Sequence, residues 1–343
     1  ALLLTLGSSI YAFSTMLTTF LVGLALGSVI HGAMADKRQY DSISFGKLQI
    51  MIGLFCLLTI LLLSVAPLYF VMVFPTIKDS YTLVMITNFV IAFIVMIIPT
   101  TLMGFAFPLV GRLYTRSIRQ IGKSIGNIYA INTLGCILGA FLAGFVMIPF
   151  LGVQTSIKAA VTINIVCGAL VILKSEKIRK KRLATVLVSF SLLVLLAALP
   201  SWNPALMSAG SAIYAPEYAG RIPDFSQQRQ SVEFYKDGIS STVSIHRKGS
   251  TVFLKVNGKI DASSNTDMPT QLLLGYLPML HHKNPENVFI IGLGSGVTGN
   301  AVLHFPEVKS VLCAELEPAV IEANRFFTEV NGNVLKNQKF KIK

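Results

Sequence analysis

A short stretch near the C-terminal end of the chain carries residues that could seat a nucleoside. Asn287-Val288-Phe289-Ile290-Ile291 reads as an apolar strand, Gly292-Leu293-Gly294-Ser295-Gly296 follows directly, and Val297 to His304 reads as a helix. Glycines at the C-terminal end of such a strand let an adenosine-bearing ligand approach the backbone. A second strand, Val308 to Ala314, ends in Glu315-Leu316-Glu317. Glu315 lies 19 residues after Gly296, near the spacing at which a carboxylate accepts hydrogen bonds from both ribose hydroxyls. Glu317 is the weaker candidate, because Pro318 follows and Glu317 reads as the N-cap of a helix running to about Glu329. Gly294-x-Gly296-x-x-Gly299 satisfies the dinucleotide fingerprint, whereas Gly292-x-Gly294-x-Gly296 is the common form of S-adenosylmethionine-type sites. The residues leave both readings open.

Around this unit the elements alternate strand, glycine loop, helix, strand, helix and a last strand at Lys339–Lys343, which implies a parallel, doubly wound sheet. Before it the hydrophobic period is two. Val232–Tyr235, Thr242–His246 and Thr251–Val256 read as short antiparallel strands, with turns at Lys236-Asp237-Gly238 and Lys248-Gly249-Ser250. Residues 268–282 read as a helix with Pro269 in its first turn. His281-His282 at its end suits the helix dipole rather than a metal. Tyr235 reads as a packed strand residue.

The first part of the chain is of another kind. Of 343 residues, 53% are hydrophobic and 13% charged, and mean hydropathy is +0.66. A soluble domain carries about a quarter charged residues, so disorder and a purely soluble protein are excluded. Six apolar runs, roughly 10–34, 47–68, 82–108, 125–150, 157–173 and 183–199, approach the ~20 residues that span a bilayer as a helix. Residues 1–200 hold 15 Lys and Arg against 4 Asp and Glu, and residues 201–343 hold 14 against 12. The net charge of +13 is therefore concentrated in the apolar half and does not indicate a nucleic-acid partner.

Thirteen cations fall in the loops at 35–47, 109–124 and 174–182, against Lys78 and Lys158 in or beside the others. By the positive-inside rule the basic loops are cytoplasmic. Six crossings then leave residue 1 and the C-terminal half on the other side. Lys158, one turn inside its span, can snorkel outward. Pro99 and Pro108 predict a kinked or broken span. Gly23-x-x-x-Gly27, Gly122-x-x-x-Gly126 and Gly135-x-x-x-Gly139 predict close helix packing. Asn88, Asn127, Asn132 and Asn164 read as interhelical hydrogen-bonding groups or as the lining of a solute path. Cys56, Cys136, Cys167 and Cys313 have no partner at metal-ligand spacing and read as small buried hydrophobes, so no metal is expected.

The domains expected are a transmembrane helical domain at 1–199, a linker at 200–230, a small β element plus helix at 231–284, and a partial nucleoside-binding domain at 285–343. The fold class is a multi-span α-helical membrane domain, then a small antiparallel β element and a truncated Rossmann-like (methyltransferase-type) α/β domain. Residue 1 is Ala inside an apolar run and the last strand has nothing after it, so both ends read as cut.

Val256-Asn257-Gly258-Lys259-Ile260-Asp261-Ala262-Ser263, Asp267-Met268-x-x-Gln271-Leu272, Leu277-Pro278-Met279-Leu280-His281, Asn284-Pro285 and Val288 to Glu317 resemble the spermidine synthase (polyamine aminopropyltransferase) family. Pro99 to Pro108 and Ile121 to Gly135 resemble its membrane-fused branch. The resemblance implies transfer of an aminopropyl group from decarboxylated S-adenosylmethionine to an amine such as putrescine, with an Asp as base. It implies Glu315 on the donor ribose, Gly292, Gly294, Ser295 and Gly296 beside the donor, and Asp261, Asp267 and Gln271 on the amine side. The family's catalytic Asp falls beyond Lys343, so residues 1–343 alone are expected to be inactive. Four positions depart from the family pattern. Ser295 stands for a loop Asp, Ser241 for a Gln on the early β element, Asp261 for a Gln, and Leu272 for a carboxylate. The implied partners are a lipid bilayer and a small amine, with a homo-oligomer left open. The implied setting is a multi-pass protein of a bacterial inner (plasma) membrane. Two other readings stand beside it: a transporter or membrane sensor with a non-catalytic nucleoside-binding domain, and an S-adenosylmethionine-dependent methyltransferase.

Overall fold

The structure, a computed structural model, describes residues 1–35, 39–115, 121–175, 182–218 and 231–343. Eight of the thirteen basic-loop cations (Lys37, Arg38, Arg116, Arg119, Lys177, Arg179, Lys180 and Lys181) lie outside the described residues. The chain divides into two compact units, Ala1–Trp202 and Asn203–Lys343.

The first unit is helical: α1 Leu2–Leu6, α2 Ile10–Ala35, α3 Ser42–Ile77, α4 Tyr81–Tyr114, α5 Ile121–Phe141, α6 Val153–Leu173 and α7 Arg182–Ala198. A π-helical turn at Leu142–Met147 carries α5 on to Leu151. Five helices among the described residues are long and apolar enough to cross a membrane, namely α2, α3, α4, α5 with its extension, and α6. The sixth, α7, has 17 residues, about 25 Å of helix against the ~30 Å of a hydrocarbon core. Its end nevertheless lies beside the start of α6. Lys158 Nζ donates to Leu199 O at 2.9 Å, Gln154 Nε2 donates to Pro200 O at 2.8 Å, and Trp202 N donates to Gln154 Oε1 at 2.9 Å.

The prolines of α4 do not break it; the helix is continuous from Tyr81 to Tyr114. Proline lacks the N–H that would bond the carbonyl four residues earlier. For Pro99 that carbonyl is Val95 O, and Thr59 Oγ1 of α3 donates to it at 3.1 Å. For Pro108 it is Gly104 O, and Ser28 Oγ of α2 donates to it at 3.1 Å. Hydroxyls from neighbouring helices thus supply what each proline withholds.

Gly23 and Gly27 press against α4: a Cβ on either would lie 1.9 Å from Thr100 Oγ1 or Thr101 O respectively. Gly46 and Gly168 play the same part between α3 and α6. The other two glycine spacings are different, since added Cβ atoms on Gly122, Gly126, Gly135 and Gly139 would meet nothing within 4 Å. Of the amides in the apolar helices, Asn88 is buried, while Asn164 Nδ2 donates to its own helix at Ala160 O. The cysteines correct the expectation of burial in part. Cys313 is buried and Cys56 half-buried, but Cys136 and Cys167 are exposed on helix faces.

The second unit holds helices α8 Pro204–Met207 and α9 Ser211–Tyr218, strands β1 Val232–Asp237, β2 Thr242–Lys248, β3 Thr251–Val256 and β4 Lys259–Ser263, and helix α10 Met268–His281. After these come β5 Asn287–Ile291, α11 Val297–Leu303, β6 Ser310–Ala314, α12 Pro318–Ala323 and β7 Phe340–Ile342. The segment read as a linker is helical at α8 and α9, and its remainder, 219–230, lies outside the described residues. The antiparallel sheet has four strands, not three, in the order β1-β2-β3-β4. The fourth is entered through Asn257-Gly258, both at positive φ (51° and 83°), a two-residue hairpin turn whose Asn-Gly signal is in the sequence. The second α/β strand starts at Ser310 rather than Val308. The helix after Pro318 is α-helical to Ala323 and runs on as a 3-10 helix over Asn324–Phe327, two residues short of the expected end at about Glu329. Strands β5, β6 and β7 form a parallel sheet in that order. One core joins both sheets: Val243, Ile245, Leu254 and Ala262 pack with Leu293, Ala319, Val320, Ala323 and Phe327.

Candidate functional site

The parallel register pairs Ile291 with Ala314, and Gly292 N then donates to Ala314 O at 2.8 Å. The glycine loop and the end of β6 therefore leave the sheet side by side. Gly292 and Gly294 have φ of 86° and 53°, and a Cβ on either would meet nothing closer than 4.0 Å, so the loop is open on the ligand-facing side. Gly296 is closed beneath, where a Cβ would lie 2.8 Å from Val334 and 2.9 Å from Asn324. Two buried amides hold the loop from below. Asn331 Nδ2 donates to Ser295 O at 2.8 Å and to Asn324 Oδ1 at 2.9 Å, and Asn324 Nδ2 donates to Gly294 O at 3.3 Å. Sequence reasoning missed both; the only available signal was Asn331-Gly332, a turn dipeptide.

Glu315 is half-buried, and both its oxygens are oriented by backbone. Oε2 accepts from Leu293 N at 2.8 Å and Oε1 from Glu317 N at 2.9 Å. A carboxylate has about four lone-pair sites, so two remain for ligand hydroxyls. Glu315 and Gly294 line a cleft of about 350 Å³, together with Asp261 on β4 and Ser240 and Ser241 in the β1–β2 turn. Apolar walls come from Leu254, Val256, Leu316 and Val320. Asp261 is exposed and pairs with Lys259 Nζ at 2.8 Å. An exposed pair of this kind is weak, which leaves the carboxylate able to exchange partners with an incoming cation.

Two of the expected site residues meet each other instead. Ser295 is buried and its hydroxyl donates to Gln271 Oε1, while Gln271 Nε2 donates to Ser263 O at 2.9 Å. Both side chains thus tie α10 to the glycine loop. Asp267 is the half-buried N-cap position of α10, and its backbone N donates to Ser263 Oγ at 2.9 Å; it does not line the cleft. Glu317 is buried and caps α12 through Ala319 N. Tyr235 is half-buried; burial, then the neighbouring Asp237 carboxylate, hold its hydroxyl above the ordinary range, as for a packed residue.

On its other face the antiparallel sheet carries a buried polar layer under α8 and α9. His246 Nε2 lies 2.9 Å from Ser208 Oγ and 3.2 Å from Ser244 Oγ. Burial, and then the Lys255 charge, push the imidazole down to about 3. Burial pushes the Lys255 amine down to about 8, partly opposed by Glu217. Lys255 Nζ donates to Ser208 O and sits 5.6 Å from the Tyr214 ring centroid. This layer is an anchor for α8 and α9, and its Lys255 alternates along β3 with the cleft-lining Leu254 and Val256.

The spermine/spermidine synthase domain family matches residues 269–343. A polyamine aminopropyltransferase of Oceanobacillus iheyensis is 22% identical across 98% of this chain and 61% of its own length. One from Mycobacterium tuberculosis is 22% identical across 99% of this chain and 62% of its own. One from Leptospira biflexa is 40% identical over 68 residues, 20% of this chain and 24% of that protein. Spermidine synthase from Thermotoga maritima aligns in structure over 33% of this chain and 40% of its own, with 24% identity and a TM-score of 0.31. The chain spans about three fifths of the length of the curated relatives it matches from end to end. The first two matches run through the helical unit as well as the α/β unit, and the family match falls on the helix, glycine loop and Glu315 described above. The similarity to the spermine/spermidine synthase domain family is thus carried by residues 269–343.

Proposed function

We propose that the chain is the membrane-anchored, donor-binding part of an aminopropyltransferase that uses decarboxylated S-adenosylmethionine and a small amine. The observation that carries this reading is the cleft in which Glu315, Gly294 and Asp261 converge. Glu315 offers two oriented oxygens to the ribose, and the open glycine loop lets the nucleoside lie on the backbone. Asp261 supplies negative charge for an amine. In the reaction the acceptor nitrogen attacks the propyl carbon bound to the sulfonium. The carbon–sulfur bond breaks, sulfur keeps the electron pair, and methylthioadenosine leaves as a neutral thioether. The nitrogen's proton goes to a base, which the resemblance places on a strand after Lys343. Ser295, turned toward Gln271, leaves the donor's amine without the loop carboxylate that the family pattern has there.

The apolar helices α2 to α7 form the anchor in this reading, in a bacterial inner membrane. Isothermal titration of the full-length protein with methylthioadenosine tests the donor site: saturable binding is expected, and no heat at millimolar ligand refutes it. A reporter fusion at residue 205 tests the setting. A cytoplasmic signal fits a cytoplasmic donor. A signal from the opposite side, where six crossings and the basic loops would place it, favours a nucleoside-binding sensor over a transferase.

A further inference from the structure

Glu317 makes more hydrogen bonds than a helix cap needs. Its Oε1 accepts from Ala319 N at 3.2 Å, the capping bond. Its Oε2 reaches across to the β1–β2 turn, accepting from Ser240 N at 2.9 Å, Ser240 Oγ at 3.0 Å and Ser241 N at 3.1 Å. The residue is 4% exposed. The turn has given up a side chain to admit it: a Cβ on Gly238 would lie 2.0 Å from Glu317 Oε1. Gly238 is not at positive φ, so space rather than backbone conformation calls for glycine there. Ser240 and Ser241 line the cleft together with Glu315 and with Glu317 itself.

We propose that Glu317 is a positioning residue that fixes where the Ser240–Ser241 turn sits in the cleft relative to Glu315. It fixes the Ser240–Ser241 turn against the end of β6 and so shapes the acceptor side of the cleft, while Glu315 holds the nucleoside. This inference rests on the aminopropyl-transfer reading. A neutral amide cannot replace the carboxylate, because both oxygens accept and an amide has only one acceptor oxygen. Other contacts keep the β element docked when the clasp opens, namely the Lys236–Glu322 pair, the Phe234–Phe326 ring contact and the shared core. The expected defect is therefore local.

The test uses full-length protein carrying Glu317→Gln and, from the opposite element, Gly238→Ala. Amide hydrogen exchange over residues 237–242 should quicken by about tenfold or more in each, as a backbone N–H loses its acceptor. The KM for the amine should rise by about tenfold, with the Kd for methylthioadenosine within about twofold of wild type. The double variant should be little worse than either single one, since both open the same clasp. Unchanged exchange, or a methylthioadenosine Kd that rises in step with KM, overturns the proposal. A wild-type protein without transfer or nucleoside binding sinks the functional reading and the acceptor role with it. The exchange measurement then still decides whether the clasp exists.

Discussion

Replacing Glu315 by Gln changes one atom's chemistry and leaves its volume alone, so its effect follows from hydrogen-bond counting. In the folded chain one carboxylate oxygen is committed to Leu293 N and the other to Glu317 N, at 2.8 and 2.9 Å. Each oxygen keeps one lone pair for a ribose hydroxyl. Gln has a single acceptor oxygen. Whichever way the amide faces, one backbone N–H opposes an NH₂ group and one ribose hydroxyl loses its acceptor. A hydrogen bond to a charged group contributes about 1.5–3 kcal/mol. Losing one from the ligand therefore predicts a rise in the methylthioadenosine Kd of roughly 10- to 150-fold. The opposed N–H adds about 1–3 kcal/mol of destabilisation, so the titration belongs well below the variant's melting temperature. Isothermal titration of the full-length protein reads the Kd, and circular dichroism confirms folding. A folded Glu315→Gln protein with a Kd within threefold of wild type would refute the assignment of Glu315 to the ribose.

Three further outcomes are expected. His246 has a folded pKa of about 3 against 6.5 unfolded, so it adds no penalty above pH 6.5. Below that, only the unfolded chain takes the proton, and stability falls by about 1.4 kcal/mol per pH unit toward pH 3. His246→Gln should flatten the fall in melting temperature between pH 6.5 and 5, and an equally steep fall in that variant would exclude His246 as its source. Thr59→Val and Ser28→Ala should each lower the stability of the helical unit by about 0.6–2 kcal/mol in detergent unfolding titrations. Thr162→Val, whose hydroxyl only returns to Lys158 O of its own helix, should cost less, and equal costs for Thr59 and Thr162 would contradict the proline-repair account. Gly296→Ala should destabilise more than Gly292→Ala in thermal melts. Both force a left-handed backbone on alanine at about 1–2 kcal/mol, but only the first drives a methyl into Val334 and Asn324; equal melting points would contradict the close approach.

The sequence by itself determined the features that arise over short chain distances. Apolar runs of bilayer length, the period-two strands, the glycine loop after an apolar strand and Glu315 at its offset are all local patterns, because helix, strand and turn geometry are local. The Asn257-Gly258 hairpin was equally local and was present to be read. Only the tertiary structure decided who meets whom. Ser295 and Gln271, 24 residues apart, could each serve a ligand on type alone, yet they face each other and hold α10 to the loop. Glu317 has the sequence position of a cap, and its second oxygen bonds a turn 77 residues earlier. Pro99 and Pro108 look like helix breakers until Thr59 and Ser28 are seen beside the carbonyls they leave bare. In each case the outcome depends on which buried donor finds which acceptor. A buried polar group must be satisfied, but the partner that satisfies it comes from whatever element the fold brings alongside, and sequence spacing carries no record of that.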